Sequence, residues 1–299
     1  MGIRVLVVDD SALVRSVLRD ELQRAEEIEV IAAVSDVYAA RDRIVIDKPD
    51  VITLDIEMPR MDGVEFLRRI MPQYPVRVVM VSALATAHAE LTLQALRYGA
   101  IDFVTKPMAR NGASISNMVD ELVEKIRAAA KVDIARHNTM REKSVVTGVR
   151  NFALARSTDK IIAIGASTGG TVAIESILKQ MPPDTPGIVV VQHMPPVFTK
   201  QFADRLNAVV PMEVKEAESG DRIHRGRVLI APGERHLSVM RSGGAYMVRC
   251  YEGDKVNGHR PSVSVLLASV AKHAATNAVG VMLTGMGADG ADGMLAMRN

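Results

Sequence analysis

The sequence has no tryptophan, and aromatic residues make up only 3% of its 299 positions. Proteins that grip single-stranded nucleic acid use flat rings to stack against bases, so this scarcity speaks against that class. Cys250 is the one cysteine; no disulfide can form within the chain, and a reducing, cytoplasmic setting is expected. No uninterrupted apolar run reaches the roughly 20 residues that cross a bilayer. The opening Met1-Gly2-Ile3-Arg4 does not read as a secretory signal. No direct membrane insertion is therefore expected. Nor is one charge in excess. Thirty-seven Lys and Arg against 35 Asp and Glu leave a net charge of +2, too little to draw the chain to nucleic acid. What is present is 48% hydrophobic and 24% charged, an ordinary globular composition at a length that supports two cores.

The first half alternates strand and helix signals. Arg4-Val5-Leu6-Val7-Val8 is an apolar, β-branched run ending at Asp9-Asp10, as a strand buried on both faces would read. Four more strands are predicted, at Glu29–Val34, Val51–Leu54, Val76–Val81 and Asp102–Thr105. Helical stretches separate them, and a last helix is expected over Ile115–Ala130. Five strands alternating with helices imply a doubly wound parallel sheet, a flavodoxin-like α/β fold whose site lies at the carboxyl ends of the strands. Those ends carry Asp9 and Asp10, then Asp55, Ser82 and Lys106-Pro107. Three carboxylates gathered together repel one another and suit a hard cation such as Mg²⁺. A lysine and a hydroxyl beside them suit the oxygens of a phosphorylated carboxylate.

After Pro107 the pattern weakens. Residues 131–160 are rich in Arg and Lys with few acids, and include His137; they read as a solvated connector. No helix-turn-helix follows, which argues against a transcription regulator.

From Lys160 the strand pattern restarts. Strands are predicted at Ile161–Ile164, Ile188–Val191, Met212–Glu216, Val228–Ala231 and Val279–Leu283, with a hairpin joining Leu237–Met240 to Tyr246–Cys250. The result is a second doubly wound, mostly parallel α/β domain with a small antiparallel hairpin. Its strand ends carry Gly165-Ala166-Ser167-Thr168-Gly169-Gly170, then Gln192-His193-Met194-Pro195, then Thr284-Gly285-Met286-Gly287-Ala288-Asp289-Gly290. A hydroxyl, an imidazole and a carboxylate on one rim form the set needed for nucleophilic acyl transfer. Ser167 attacks, His193 takes its proton, and Asp289 orients the ring. Backbone N–H groups near Thr168 or Met286 are the oxyanion-hole candidates. The order Ser…His…Asp differs from the Ser…Asp…His of lipase-type α/β-hydrolases, despite the Gly-x-Ser-x-Gly spacing. A dinucleotide reading lacks Gly-x-Gly-x-x-Gly and an acidic residue after the second strand. His224, His236, His259 and His273 have no metal-ligand spacing.

With these residues in view, residues 1 to about 125 resemble the receiver domain of two-component response regulators. The likeness rests on Asp9-Asp10, Asp55, Met58-Pro59 with Met61-Asp62-Gly63, Ser82-Ala83 and Lys106-Pro107. It implies that Asp55 accepts a phosphoryl group from a histidine kinase, with Mg²⁺ held by Asp9, Asp10, Asp55 and the carbonyl of Glu57. Ser82 and Lys106 then bind the phosphoryl oxygens, and Phe103 takes the place of the switch aromatic. Residues 158–299 resemble the catalytic domain of chemotaxis protein-glutamate methylesterases. That likeness rests on the three strand-end motifs, Ala231-Pro232-Gly233 with His236, and Arg260-Pro261-Ser262-Val263. It implies hydrolysis of glutamate methyl esters on chemoreceptor helices with release of methanol, deamidation of receptor glutamines, and control by the receiver, which covers the triad rim until phosphorylated. The expected organisation is thus a receiver over 1–125, a linker over 126–157 and a catalytic domain over 158–299. Two departures stand out. Ser264 occupies a position where the family usually carries aspartate, and the family's domain usually continues beyond the aspartate loop. A catalytic domain incomplete at its C-terminal end, with reduced stability or activity, is the resulting expectation. The alternative function, from a different class, is a non-catalytic receiver-linked module that signals through partner contacts.

Overall fold

The computed structural model describes residues 2–83, 86–107, 115–134, 160–285 and 287–299. The chain divides into two compact units, Met1–Glu142 and Lys143–Asn299. Most of the stretch expected as linker, His137 included, lies outside the described residues, as does Met286.

In the first unit β1 (Ile3–Val8), β2 (Ile28–Val34), β3 (Val51–Asp55), β4 (Val78–Ala83) and β5 (Asp102–Lys106) form one sheet in the order β2-β1-β3-β4-β5. Every pairing is parallel. Five helices alternate with the strands: α1 (Ala12–Leu22), α2 (Val37–Asp47), α3 (Gly63–Ile70), α4 (Thr86–Tyr98) and α5 (Ile115–Ala130). Helix α5 therefore runs five residues past 125. Local chemistry starts the helices: Ser11 accepts from the Val14 N–H, Asp36 from those of Tyr38 and Ala39, and Asp62 from that of Glu65. Each such cap is worth about 1 kcal/mol. One face of the sheet is sealed by Val5, Val7, Val79, Val81 and Val104 against Leu18 and Leu22 of α1 and Leu122 and Ile126 of α5.

In the second unit β6 (Ile161–Ala166), β7 (Gly187–Gln192), β8 (Glu213–Glu216), β9 (Arg227–Ile230) and β12 (Ala278–Met282) form another parallel sheet, ordered β12-β6-β7-β9-β8. Strands β10 (His236–Ser242) and β11 (Ala245–Tyr251) make the antiparallel hairpin. Among the described residues the unit also holds four α-helices, α6 (Gly170–Leu178), α7 (Phe198–Val209), α8 (Val263–Ala274) and α9 (Ala291–Arg298), and a 3-10 turn at Ala275–Asn277. Helix α8 buries Val263, Leu266, Leu267 and Val270 between sheet residues Ala163 and Val191 and hairpin residues Leu237 and Val239. That packing fixes the start of α8 beside the carboxyl ends of β6 and β12, and the helix start is where the site is built. Among the described residues no helix is long and apolar enough to cross a membrane.

Candidate functional site

The sheet order explains how residues 122 apart in sequence meet. Strand β12 pairs with β6 and β6 with β7, so the segments that follow these three strands share one rim. The ladder continues past the strand ends: Ser167 N–H donates to Thr284 O at 2.9 Å, and His193 N–H to Ala166 O at 3.2 Å. Ser167 sits in the turn between β6 and α6. Its carbonyl accepts from Gly170 N–H at 2.7 Å and from the Gln192 side-chain amide at 2.9 Å. A Cβ at Gly170 would stand 2.0 Å from the Gln192 Oε1 and 2.6 Å from the Ala166 Cβ, so a side chain here would displace the Gln192 amide and crowd the strand. Gly285 is under similar pressure, as its Cβ would fall 2.8 Å from the Ser167 Cβ.

The three chemical groups are in contact. His193 Nδ1 lies 3.2 Å from Ser167 Oγ, and His193 Nε2 lies 2.9 Å from Asp289 Oδ2. With Asp289 ionised, Nε2 carries the proton and donates it, which leaves Nδ1 as the acceptor facing the hydroxyl. The His259 ring stacks on that of His193, centroids 3.8 Å apart and planes 12° from parallel. Asp289 is buried, yet its carboxylate is richly supplied with donors. Oδ1 accepts from Ser262 Oγ (2.7 Å), Ser264 N (3.1 Å) and Asn257 Nδ2 (3.2 Å), and Oδ2 accepts from Val263 N (2.7 Å). Burial opposes its ionisation, but His193, Ser262 and the N–H groups of Val263 and Ser264 outweigh that and hold the carboxyl well below the usual range. The start of α8 thus clamps an anion with the free N–H groups of a helix N-terminus. Ser264 contributes its hydroxyl as well, accepting from Gly290 N at 2.7 Å and Asn257 Nδ2 at 3.1 Å. Cys250 offers no rival nucleophile: it is buried, and burial pushes its thiol up to about 11.

The first unit gathers its own set. Carboxylate oxygens of Asp9, Asp10 and Asp55 lie within 4.8 Å of one another. Asp9 and Asp55 are buried, whereas Asp10 is exposed. Lys106 Nζ reaches both buried acids, at 2.9 Å from Asp9 and 2.8 Å from Asp55. Burial, reinforced by Asp9 and opposed by Lys106, pushes the Asp55 carboxyl up to about 6. These hard oxygens, two of them buried and only partly offset by one ammonium, are consistent with a metal site. Glu57 donates its N–H to Asp55 Oδ1 at 3.4 Å, and its side chain turns outward to His88 Nε2 at 2.5 Å. Buried Ser82 touches Thr92, Oγ to Oγ1 at 2.9 Å. Phe103 is buried, and the Lys125 Nζ sits 5.2 Å from its ring centre.

Asp9, Asp10, Asp55, Glu57, Ser82 and Lys106 lie at the carboxyl-end rim of the first sheet and Ser167, Thr168, His193 and Asp289 at that of the second; Phe103 lies inside β5, next to its first residue, and Met286 is outside the described residues. Sequence reasoning gave no site role to Asn257, Gln192 or the stacked His259, although Gln192 stood in a strand-end motif and Asn257-Gly258 is a tight-turn pair.

Comparison with known proteins finds a match for each unit. Residues 5–116 match the response regulator receiver domain, and residues 162–299 match the CheB methylesterase family. The chain is 55% identical over 298 residues to a protein-glutamate methylesterase/protein-glutamine glutaminase from Syntrophotalea carbinolica, covering 99% of this chain and 84% of that protein. It is 52% identical over 306 residues to the protein of the same description from Sulfurimonas denitrificans, covering 100% and 86%. The crystal structure of the Thermotoga maritima CheB methylesterase catalytic domain matches 48% of this chain and 76% of its own at 40% identity, with a TM-score of 0.46. The matches span both units, and on that ground the chain belongs to the protein-glutamate methylesterase/protein-glutamine glutaminase family, enzymes that here join a receiver domain to a CheB methylesterase domain.

Proposed function

We propose that Ser167, His193 and Asp289 perform the hydrolysis and that phosphorylation of Asp55 controls it. The observation that carries this reading is the continuous chain of contacts from Ser167 Oγ through both nitrogens of His193 to the Asp289 carboxylate.

Ser167 Oγ attacks the side-chain carbonyl of a glutamate methyl ester while His193 Nδ1 takes its proton. Asp289 stabilises the imidazolium that forms. The oxyanion is received by backbone N–H groups, with Thr168 as the first candidate and Met286 as the second. Collapse of the tetrahedral intermediate expels the methoxy group, which takes the proton from His193 and leaves as methanol. Water, deprotonated by the same imidazole, then attacks the acyl-serine and releases glutamate and the free hydroxyl. With a glutamine side chain the leaving group is ammonia, and every other step is shared. The substrates are methylated cytoplasmic helices of chemoreceptors, and the setting is the cytoplasm.

In the receiver, Asp55 is the acceptor for a phosphoryl group from a histidine kinase. Asp9, Asp10, Asp55 and the Glu57 carbonyl are the ligands for Mg²⁺, which supplies charge neutralisation on the phosphoryl oxygens when bound. Lys106 already faces the acceptor carboxylate. Ser82 Oγ accepts from Thr92 Oγ1 and donates to the Ala83 carbonyl at 3.2 Å; it is the latter bond that it exchanges for a phosphoryl oxygen, and Phe103 accompanies it as the switch aromatic. The proposed organisation is a receiver over 1–125 whose last helix runs on to Ala130, a connector from there to 157 and a catalytic domain over 158–299. Methanol release from methylated receptor tests the whole reading. Ser167→Ala abolishes it with the fold intact, whereas a module that only binds partners is indifferent to that change.

A further inference from the structure

We propose that Asn257 is a positioning residue for the hydrolytic site, its side-chain amide fixing the Asp289 carboxylate against His193. This rests on the Ser167-His193-Asp289 reading.

The argument starts in the sequence Val256-Asn257-Gly258-His259. Val256 and His259 exchange backbone hydrogen bonds, N–H to O at 3.1 and 3.0 Å, enclosing two residues with φ of 51° and 80°. Positive φ at both central positions is the two-residue turn for which Asn-Gly is the preferred pair. Asparagine tolerates that backbone better than other non-glycine residues. The turn aims residues at the site from a direction that α8 cannot supply. Asn257 Nδ2 donates to Asp289 Oδ1 at 3.2 Å and to Ser264 Oγ at 3.1 Å. Two positions later, His259 lies flat on the His193 ring. One four-residue turn therefore touches both the carboxylate and the imidazole it orients.

The other donors to Asp289 Oδ1, Ser262 Oγ and Ser264 N, both come from the α8 N-terminus. Asn257 is the donor to that oxygen from a separate element. It also closes a ring: Asn257 to Ser264 Oγ, Ser264 Oγ to Gly290 N, and Gly290 back through its neighbour Asp289 to Asn257. This ring is closed through the neutral hydroxyl of Ser264. Asn257 itself is exposed. Water can solvate an exposed amide, so its bond adds little to folding stability. Its effect is expected on the geometry of the carboxylate, and so on turnover.

The chemistry requires a donor at this place. Asn257→Gly keeps the positive φ and removes the amide. Asn257→Asp keeps the shape and also tolerates the backbone, but sets a second carboxylate against Asp289. Full-length variants are compared at pH 7.5 for methanol release from methylated receptor, with kcat, KM and the thermal midpoint read separately. Asn257→Gly is expected to lower kcat about fivefold, in line with the loss of one ordinary hydrogen bond from a solvent-exposed amide. Asn257→Asp is expected to lower it further, by more than about tenfold, through like-charge repulsion. KM stays within about twofold and the midpoints within about 2 °C. Wild-type kcat in Asn257→Asp overturns the proposal, as does a loss of kcat that only tracks a fallen midpoint. Should Asn257→Asp fail to fold, Asn257→Gly decides alone, and wild-type kcat there overturns it. Ser167→Ala separates the two levels. If it retains activity, the triad reading fails; if it is inactive while Asn257→Asp matches wild type, only the role of Asn257 falls.

Discussion

His259 lies against His193 with ring centroids 3.8 Å apart and planes 12° from parallel. The stack restricts rotation of the His193 ring. That ring must point one nitrogen at Ser167 and the other at Asp289. A flat neighbour is the requirement, and such stacking is worth about 1 kcal/mol. His259→Ala is expected to lower kcat by roughly three- to tenfold, with KM nearly unchanged. His259→Phe should retain most of the activity, because it restores the flat face. Equal losses in the two variants would point to a polar role for His259 instead.

The turn that carries Ser167 is set by steric exclusion. A Cβ at Gly285 would fall 2.8 Å from the Ser167 Cβ, so Gly285→Ala has to push the serine away from His193. Misplacing a reacting group by about 1 Å can cost on the order of 100-fold in rate. Gly285→Ala is expected to lower kcat by at least about tenfold while circular dichroism reports a folded chain. Undiminished turnover would show that the serine has room to retreat without leaving the histidine.

Asp55 gives the receiver a pH dependence with a definite sign. Its carboxyl is held at about 6 against an ordinary 3.8, chiefly by burial. A carboxyl raised on folding binds its proton more tightly in the native state. The stability it contributes is full below about pH 4 and is lost as pH rises through about 6. A displacement of about two pH units corresponds to about 3 kcal/mol. In metal-free buffer, wild type should therefore lose stability between pH 4 and 7 relative to Asp55→Asn, which lacks the titrating group. Denaturation midpoints of the two proteins at both pH values measure this, and parallel profiles would refute it.

The same buried acids predict a response to Mg²⁺. A cation that binds the native cluster of Asp9, Asp10 and Asp55 stabilises it by mass action, about 2.7 kcal/mol at 100-fold above the dissociation constant. Millimolar Mg²⁺ should raise the receiver's thermal midpoint in wild type and raise it much less in Asp10→Asn. Identical shifts in both would place the ion elsewhere.

Much of this was legible in the sequence, for a physical reason. Strands buried on both faces read as continuous apolar runs, so β1, β3, β6 and β7 announce themselves, and function gathers where those runs end. Asp9, Asp55, Ser167 and His193 were found that way. Strand order was not legible. The pairing of β12 with β6 joins Val279 to Ile162 across more than a hundred residues, and no local periodicity encodes it. Asp289 could be placed on the right rim, but the donors that hold it could not be named. Ser262, Ser264 and Asn257 meet it only because α8 packs where it does. Gln192 reads as the polar end of a strand, and its grip on the Ser167 carbonyl emerges only from the turn's geometry.

The most direct test of the account is methanol release from methylated receptor by the full-length chain, with Mg²⁺, in the presence and absence of a small-molecule phosphodonor. The account predicts release by wild type that rises when the phosphodonor is added, release by Asp55→Asn that does not respond to it, and none from Ser167→Ala under either condition. Release from Ser167→Ala at the wild-type rate would contradict it.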